Sequence, residues 1–395
     1  MDMKIIPLSP IDHVFTGVGS HPIGFVFAYK DTIDPARLRS SLDETLEQFS
    51  PLRSKLIKIS EHSYGLQPAD DGLSFEVSSS SEIFEGSKDI SNFLDSVHSV
   101  EGEPLAKIKL TQTLRGSVLG VSMSHALADG FSYFHFLSSW SRVFQGKRIL
   151  SPSHQRELLV PETSDHQKLI TPDDILARCG FFWGGKRHAS SREPIRYEER
   201  LLISNDTMSK LLAEAQKECG VPLFYNDVIT AFLWKKYITE WNESGNNPTT
   251  YVSCPFDYRR VLRILPRTYF GNALCCATAS IDYESLVRAS LGKLALLIRK
   301  AVAQVKQDYV LGSLKTLESL RQQKGLAAME EIHVLHPQNG LLVTNISRLP
   351  VQNLEFGSGT PTGFQVLNSA QRAAAILPAQ DDGVDVRVYH PLGSG

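Results

Sequence analysis

The sequence is poor in cysteine and carries almost no excess of charge of either sign. Its five cysteines among 395 residues are odd in number, and none has the spacing of a zinc site. Such sparse thiols suit a reducing compartment. The 41 basic and 43 acidic side chains leave a net charge of -2. This balance gives no electrostatic signature of a nucleic-acid partner or an anionic membrane surface.

Long hydrophobic runs are also missing. The amino-terminal stretch MDMKIIPLSPIDHVF reaches proline and aspartate before any extended apolar segment forms, unlike a secretory signal. No later run approaches the length needed to span a bilayer. The sequence therefore predicts a cytoplasmic protein that neither inserts into membranes nor binds nucleic acid.

Several signatures of covalent or metal-dependent catalysis are absent as well. The chain contains no Gly-x-Ser-x-Gly elbow, and Cys254, Cys275 and Cys276 lie in no nucleophile signature. His333 and His336 lie near glutamates, but their segment lacks a ligand frame and is better explained as a solvated helix end. We therefore predict no metal site.

The length and the order of predicted elements indicate two domains. Strands and helices are mixed on both sides of residues 151–195, a segment rich in Pro, Ser, Gly and charge that predicts a crossover linker. We predict an α+β fold of two similar-sized lobes, 1–150 and 196–395, each a mixed β-sheet flanked by helices. Some strands near residues 340–380 are candidates to pair with the first lobe.

Local patterns in the first lobe predict its hairpins and helices. Asp71-Gly72 and Arg115-Gly116 each separate two alternating segments, as hairpin turns do. The segment 87–100, SKDISNFLDSVHSV, predicts a short helix, and residues 130–144 predict an aromatic-rich one.

The stretch GVSMSHALADGFSYFHF, which begins at Gly120, ends a strand with His125 and starts a helix after Asp129-Gly130. Two interpretations fit it. His125 is a histidine at the edge of the core and Asp129 a helix N-cap, or His125 is a rigidly held general base in a cleft. The pattern of this stretch alone leaves both open.

Further motifs recur in order along the chain. HALADG has the form HxxxDG, LSPIDHVF has the form Leu-Ser-x-x-Asp, and FDYRRVLRILPRTYFGNAL contains Asp-x-Arg followed by YFGN. FYNDVITAFLWKKY, VTNISRLP and AAAILPAQDDGVDVRVYH complete the series. Over almost its whole length the chain resembles the BAHD acyltransferases, within the coenzyme A-dependent acyltransferase and condensation-domain superfamily.

This resemblance implies a reaction and a set of site residues. It implies a channel between the lobes, open at both ends, in which His125 deprotonates a hydroxyl or amine that attacks an acyl-CoA thioester. Asp129 would pair with Arg259, or with Arg260 as a fallback, and would hold the histidine turn. Gly130 would be needed there because the backbone turns tightly beside the channel. The remaining implied site residues are Thr344, as an oxyanion or acceptor contact or an ordinary inward strand threonine, and Ser253, near the donor. Asn272 would be structural.

The chain departs from the condensation domains at one position and from the BAHD pattern at two. Ser124 replaces the first histidine of HHxxxDG, which argues against a peptide-forming condensation domain. Ser358 replaces the tryptophan of a DFGWG motif that is structural in the family, and Ile346 implies a differently shaped acceptor pocket. We expect a monomeric acyltransferase using acyl-CoA and a small-molecule acceptor. The alternatives are a transferase that takes its acyl group from a carrier protein and a non-catalytic binding module of the same fold.

Overall fold

A computed structural model describes residues 5–82, 84, 90–162, 169–187, 198–242, 246–367, 370–379 and 382–391. Short 3-10 turns lie at Ser50–Arg53 and Arg156–Leu159. The α-helices are α1 (Pro10–His13), α2 (Pro35–Gln48), α3 (Gly130–Phe144), α4 (Pro172–Cys179), α5 (Asn205–Lys217), α6 (Tyr225–Trp241), α7 (Tyr283–Arg288), α8 (Leu291–Gln304) and α9 (Gln307–Met329).

The strands form two large sheets and two small ones. Sheet orders are β14-β2-β7-β6-β5, β11-β10-β13-β15-β16-β9, β1-β4-β3 and β12-β8. The strands are β1 (Ile6–Pro7), β2 (Ile23–Tyr29), β3 (Ser54–Ser60), β4 (Ser63–Pro68), β5 (Leu73–Ser79), β6 (Ala106–Thr113), β7 (Gly116–Met123), β8 (Phe182–Trp183), β9 (Glu198–Ile203), β10 (Thr249–Asp257), β11 (Leu274–Asp282), β12 (Ile332–His333), β13 (Gly340–Asn345), β14 (Gly363–Val366), β15 (Ala373–Pro378) and β16 (Val384–Tyr389).

The five-stranded sheet carries the histidine turn at one end of β7. Strands β6 and β7 form the predicted hairpin, in which Gly116 has a positive φ of 121°. Helix α3 follows β7 and buries a row of large side chains at three- and four-residue steps, as an amphipathic helix does. Its buried aromatic side chains are Tyr133, Phe134, Phe136, Trp140 and Phe144.

The six-stranded sheet is mixed. Its strands β10, β13 and β15 run parallel, and the other neighbouring pairs are antiparallel. The carboxyl ends of parallel strands meet at the same edge of a sheet. Asp257 at the end of β10 and Asn345 at the end of β13 therefore lie at one edge, which precedes the segment carrying Arg259.

A late segment of the chain crosses back to the first sheet. Strand β14 pairs with β2, with Phe364 opposite Phe27. Just before it, the Phe356 side chain is fully buried and its ring centroid lies 4.9 Å from that of Trp140. The backbone of Glu355 both donates to and accepts from the Ser141 hydroxyl. The segment Glu355–Gly359, which carries the altered DFGWG motif, thus packs against α3 before β14 joins the first sheet.

Two local predictions are wrong. Asp71-Gly72 does not close a hairpin, because β4 pairs with β1 and β3, whereas β5 joins the other sheet parallel to β6. Residues 90–100 form turns and bridges but no helix, and the start of that predicted helix, through residue 89, lies outside the described residues. In both cases tertiary pairing overrides a local pattern.

The predicted linker contains ordered structure among its described residues. It contributes α4, β8 and the 3-10 turn at Arg156–Leu159, in which the Arg156 side chain is 2% exposed. The lobe boundaries at residues 150 and 196 stay a prediction. Every helix of the described ranges is too short or too polar to cross a bilayer.

A buried histidine links α1 to β4. His13 Nδ1 lies 2.8 Å from the Ser9 carbonyl oxygen, and Nε2 accepts from the Tyr64 amide at 3.0 Å. Only a neutral imidazole protonated at Nδ1 satisfies both contacts. Burial lowers the pKa of His13 to about 4, with a smaller lowering from Arg321 and opposing effects from the Ser9 bond, Asp12 and Glu318.

We expect the free energy of unfolding to fall as the pH drops from about 6.5 to about 4. In this window the unfolded histidine is protonated and the folded one is not, so acid favours unfolding. His13→Gln replaces the ring by a non-titrating amide. As the pH falls, the unfolding free energy of this variant should decrease by up to about 1.4 kcal/mol less per pH unit than that of the parent protein. At pH 7 the variant should be the less stable of the two. Urea unfolding at several pH values measures this, and equal slopes for both proteins would contradict it.

Candidate active site

The turn between β7 and α3 holds His125. Ser124 is the first residue of this turn. Its amide donates to the Leu105 carbonyl at 2.8 Å, and its hydroxyl lies 2.6 Å from the Ser99 hydroxyl. Leu127 N donates to the Ser124 carbonyl at 3.0 Å and closes the turn. His125 is partly buried, with fully buried residues on both sides. The local sequence therefore presents one imidazole from a rigid, buried support.

Asp129 binds Arg259 in a bidentate ion pair. Arg259 Nη1 lies 2.8 Å from Asp129 Oδ2, and Nη2 lies 3.0 Å from Oδ1. The same carboxylate accepts from the amides of Ser132 and Ala273, each at 2.9 Å. Asp129 thus caps α3, as expected for a residue before a helix. It also joins the helix to the segment that follows β10. Arg260 is exposed and makes no such contact.

The remaining donors of Arg259 are also satisfied. Its Nη2 donates to the Gly271 carbonyl and the Ser132 hydroxyl, and Nε donates to the Tyr269 carbonyl. Burial alone would raise the pKa of Asp129, but Arg259 and the amide donors bring it below its usual value. Burial alone would lower the pKa of Arg259, and Asp129 and Asp257 outweigh it and raise that pKa. Both groups are therefore charged at neutral pH.

A second buried ion pair lies on the other side of the turn. Arg156 Nη1 donates to Asp12 Oδ2, and Nη2 donates to the Leu127 carbonyl at 2.6 Å. Asn272 Nδ2 bridges Asp12 Oδ1 and the His125 carbonyl, each at 2.8 Å. Residues from the first helix, the predicted linker and the second lobe thus hold the backbone of the turn in place.

The His125 ring is arranged to stay neutral. Burial lowers its pKa, opposed by smaller effects from its own backbone carbonyl, Asp129, Asn272 and Asp12. Its own backbone carbonyl and the Asn272 side chain act on the ring through hydrogen-bond contacts, but Nδ1 is buried without a hydrogen bond of regular geometry. The ring of Phe15 stacks on it, with centroids 3.9 Å apart and planes inclined by 16°. A neutral imidazole with an uncommitted nitrogen can accept a proton.

The predicted steric need for glycine at position 130 is wrong. A Cβ there would touch only Leu349 Cδ1, at 3.9 Å, which is an ordinary contact. The close approach instead occurs at Gly271 of the YFGN motif. A Cβ at Gly271 would lie 2.5 Å from the Tyr269 hydroxyl oxygen and 3.0 Å from Arg156 Nη1. The backbone passes between the two ion pairs at this residue, where a side chain would displace Tyr269 and Arg156.

Ser253 and Thr344 lie on the same face of the six-stranded sheet. Ser253 of β10 is in register with Leu342 of β13, so Thr344, two residues further, shares that face. Ser253 is 1% exposed and its Oγ lies 3.3 Å from Thr278 Oγ1, whereas Thr344 is partly buried near the carboxyl end of β13. Neither hydroxyl bonds to His125, so these two roles stay predictions.

Other charged candidates are committed to contacts within the protein. His333 Nε2 lies 3.0 Å from the Gly185 carbonyl oxygen, and His336 Nδ1 accepts from the Asn339 amide. Lys235 donates to the Ala289 carbonyl. Glu199, Glu240 and His390 lie together, but the ammonium of Lys236 is 3.3 and 3.4 Å from the two carboxylates. The cluster is therefore a charge network joining α6 to β9.

Sequence reasoning assigned no role to four residues that contact the turn or its support. They are Asp12, Phe15, Arg156 and Arg187. Asp12 had a signal in the Leu-Ser-x-x-Asp start, and Phe15 lies in the same motif. Arg156 and Arg187 lie singly in an irregular segment without periodicity, so no local pattern marks them. Asn272, predicted to satisfy backbone groups at a turn, does bond to the His125 carbonyl.

Solved structures share this fold across nearly the whole chain. Their sequence identities to this chain are low, so the similarity shows a shared fold only. The F. graminearum TRI101 complexed with coenzyme A and deoxynivalenol superposes with a TM-score of 0.79 at 14% identity, covering 99% of this chain and 96% of that one. Vinorine synthase superposes with a TM-score of 0.72 at 19% identity, covering 100% and 92%. The predicted two-lobed α+β fold class is confirmed.

The sequence model of the protein family described as "Transferase family" matches residues 2–395, so the chain belongs to that family. The resemblance to BAHD acyltransferases is thereby confirmed. An anthranilate N-benzoyltransferase of Dianthus caryophyllus is 26% identical, covering 96% of this chain and 90% of the relative. A hydroxycinnamoyl-CoA:5-hydroxyanthranilate N-hydroxycinnamoyltransferase of Avena sativa is 25% identical, covering 89% and 81%.

We expect Arg259→Met to lower the free energy of unfolding by about 3–5 kcal/mol, because it leaves the buried Asp129 carboxylate without its cation. Arg260→Met, one residue away and exposed, is the matched control and should change stability by no more than about 0.5 kcal/mol. Urea unfolding measures both. Equal midpoints for the two variants would show that the ion pair does not stabilise the fold.

Proposed function

We propose that this chain transfers an acyl group from an acyl-CoA thioester to a hydroxyl or amine of a small molecule, with His125 as the general base. The observation that carries the proposal is the environment of His125. Burial lowers the pKa of its imidazole, which lies on a turn that two ion pairs fix, and the ring of Phe15 stacks on it. A base of this kind is poised to accept a proton from an acceptor at neutral pH.

The names of related proteins support the choice of donor and acceptor. The oat relative is named for hydroxycinnamoyl-CoA and a 5-hydroxyanthranilate, whose nitrogen is acylated. The carnation relatives are named anthranilate N-benzoyltransferases. The TRI101 structure holds coenzyme A and deoxynivalenol. These names favour acyl-CoA as co-substrate and a small-molecule acceptor for this chain as well, with no permanently bound cofactor.

The proposed mechanism needs both substrates at once, entering from opposite ends of a channel between the lobes. His125 Nε2 takes the proton of the acceptor hydroxyl or amine as its oxygen or nitrogen attacks the thioester carbonyl. The tetrahedral intermediate then collapses, the carbon–sulfur bond breaks, and coenzyme A leaves as a thiolate that takes up the proton from His125. Thr344 is the proposed oxyanion or acceptor contact, and Ser253 is proposed to lie near the donor.

The support residues have a positional role in this proposal. Asp129 directs both carboxylate oxygens to Arg259 and backbone amides, so it holds the turn and does not relay a proton. Gly130 is the first residue of α3 after Asp129, and we propose that its backbone supports the histidine turn. We further propose that the chain acts as a cytoplasmic monomer divided at residues 150 and 196.

The cysteines argue against a covalent acyl-enzyme. Burial raises the pKa of Cys254 to about 12 and raises those of Cys275 and Cys276 as well. Because the thiolate is the nucleophilic form, these buried thiols are poorly reactive. Two alternatives remain as outcomes of experiment, a carrier-protein donor and a non-catalytic module. A positioned, neutral His125 favours the enzyme over the module.

We expect His125→Ala to keep its fold and to lower turnover by roughly 10²–10⁴-fold, the range that loss of a general base causes. The exposed His98 provides a matched control, and His98→Ala should retain parental activity. Release of free coenzyme A from a panel of acyl-CoAs, with alcohol and amine acceptors, measures both. Full activity in His125→Ala would refute the mechanism, whereas acyl transfer only from a carrier protein would identify the alternative donor.

We expect initial-rate plots with both substrates varied to give intersecting lines. Direct transfer requires a ternary complex, in which proximity makes the attack effectively intramolecular. Intact-mass analysis after incubation with acyl-CoA alone should show no acylated protein. Parallel lines, or an acyl group on a cysteine or serine, would instead show a ping-pong enzyme.

A further inference from the structure

One face of the His125 ring is covered by Phe15. The two rings are nearly parallel at a centroid distance of 3.9 Å, and Phe15 is 6% exposed. This residue follows α1 within the LSPIDHVF segment and belongs to no sheet. Its position against the imidazole therefore depends on how its backbone is held.

Arg187 holds the backbone on both sides of Phe15. Its Nη1 donates to the Val14 carbonyl at 2.6 Å and its Nη2 to the Thr16 carbonyl at 2.7 Å. Its Nε donates to the Glu330 carbonyl, 2.8 Å away, at the end of α9. The segment packs closely here, since a Cβ at Gly19 would lie 2.3 Å from Arg187 Cβ. One guanidinium thus ties the Phe15 segment to the end of α9.

An imidazole base needs its ring orientation fixed, and a hydrogen bond to the second nitrogen is the usual means. Around His125 such contacts are limited to its own backbone carbonyl and the Asn272 side chain, which raise its pKa less than burial lowers it. Its Nδ1 has no hydrogen bond of regular geometry, and Asp129, the carboxylate of its own motif, is fully used by Arg259 and amides. The stacked ring of Phe15 adds a contact that restricts rotation of the imidazole and keeps water from one of its faces.

We propose that Phe15 is a positioning residue for His125, and that Arg187 acts through it by clamping the carbonyls on either side. This inference rests on the proposed role of His125 as the base. Phe15 sets the ring plane in which Nε2 meets the acceptor. By excluding water from the ring, it also favours the neutral form.

The charged groups around His125 are few. Asp129 faces it from its own turn, Asp12 from α1 and His21 from the segment before β2. Both carboxylates are ion-paired, to Arg259 and Arg156. Burial, with Arg187 and His125, lowers the pKa of His21 to about 4, so it stays neutral above that pH. A change in the titration of His125 on altering Phe15 is therefore assigned to the stack.

The test compares Phe15→Leu, which keeps an apolar side chain but loses the flat ring, with Phe15→Tyr, which keeps the ring. Phe27→Leu is the matched control. Phe27 is buried in β2, so this substitution removes a similar volume from the same lobe. The first readout is the NMR titration of the His125 ring, identified by the signal missing in His125→Ala. The second is the pH profile of kcat/KM with the acyl-CoA and acceptor that the activity screen identifies.

We expect Phe15→Leu to raise the His125 pKa by about half a pH unit or more, because water reaches the ring, and to lower kcat roughly tenfold through misorientation. Phe15→Tyr should restore both values, and Phe27→Leu should change neither. An unshifted titration in a folded Phe15→Leu protein would overturn the proposal. Higher activity in that variant would also overturn it, by showing that Phe15 obstructs the site.

Arg187→Lys keeps the charge but cannot hold both flanking carbonyls in the same fork. It should shift the His125 titration in the same direction as Phe15→Leu, and the double variant should be no worse than the more severe single variant. Additive effects would refute the coupling through Phe15. Should Phe15→Leu fail to fold, Arg187→Lys alone tests the orientation. The NMR titration needs no activity, so a pKa shift without any activity change would sink the role of His125 and leave the stack intact.

Discussion

The bidentate ion pair between Asp129 and Arg259 is the contact on which the candidate site depends. It joins the first turn of α3 to the segment after β10, and so connects the two halves of the molecule at the histidine turn. Burying two charges costs several kcal/mol per ion, so such a pair is tolerated only when every remaining donor and acceptor is satisfied. Here the carboxylate accepts four hydrogen bonds and the guanidinium reaches Ser132, Tyr269 and Gly271 as well.

The pair of Asp12 and Arg156 extends the same design to the opposite side of the turn. Through Asn272 and the Leu127 carbonyl, it fixes the backbone of the histidine, while Nδ1 of the ring has no hydrogen bond of regular geometry. Different residues therefore hold the backbone of the histidine turn and contact the imidazole ring. The two ion pairs hold the turn, and the ring of Phe15 stacks on the imidazole. This arrangement suits direct transfer, in which the base meets one substrate while the other is already bound.

The errors of sequence interpretation have a common cause. Asp71-Gly72 has the composition of a hairpin turn, yet β4 and β5 belong to different sheets because each finds a better partner elsewhere. Gly130 lies where a tight turn was expected, but the crowding that requires glycine is at Gly271, 141 positions later, between the two ion pairs. Such demands come from neighbours distant in the sequence, which no local window contains.

The sequence by itself determined the mixed α+β class, the β6-β7 hairpin, the capped aromatic helix α3 and the HxxxDG motif, because periodicity, turn residues and helix caps are local properties. Motif order along the chain also indicated the family. Only the tertiary structure decided that Arg259 rather than Arg260 reaches Asp129, and that Asp12, Arg156 and Asn272 hold the turn. It alone brought Phe15 and Arg187 to the histidine. The two ion pairs and the ring stack join residues more than 100 positions apart, and buried charges and stacked rings select one another only once the chain is folded.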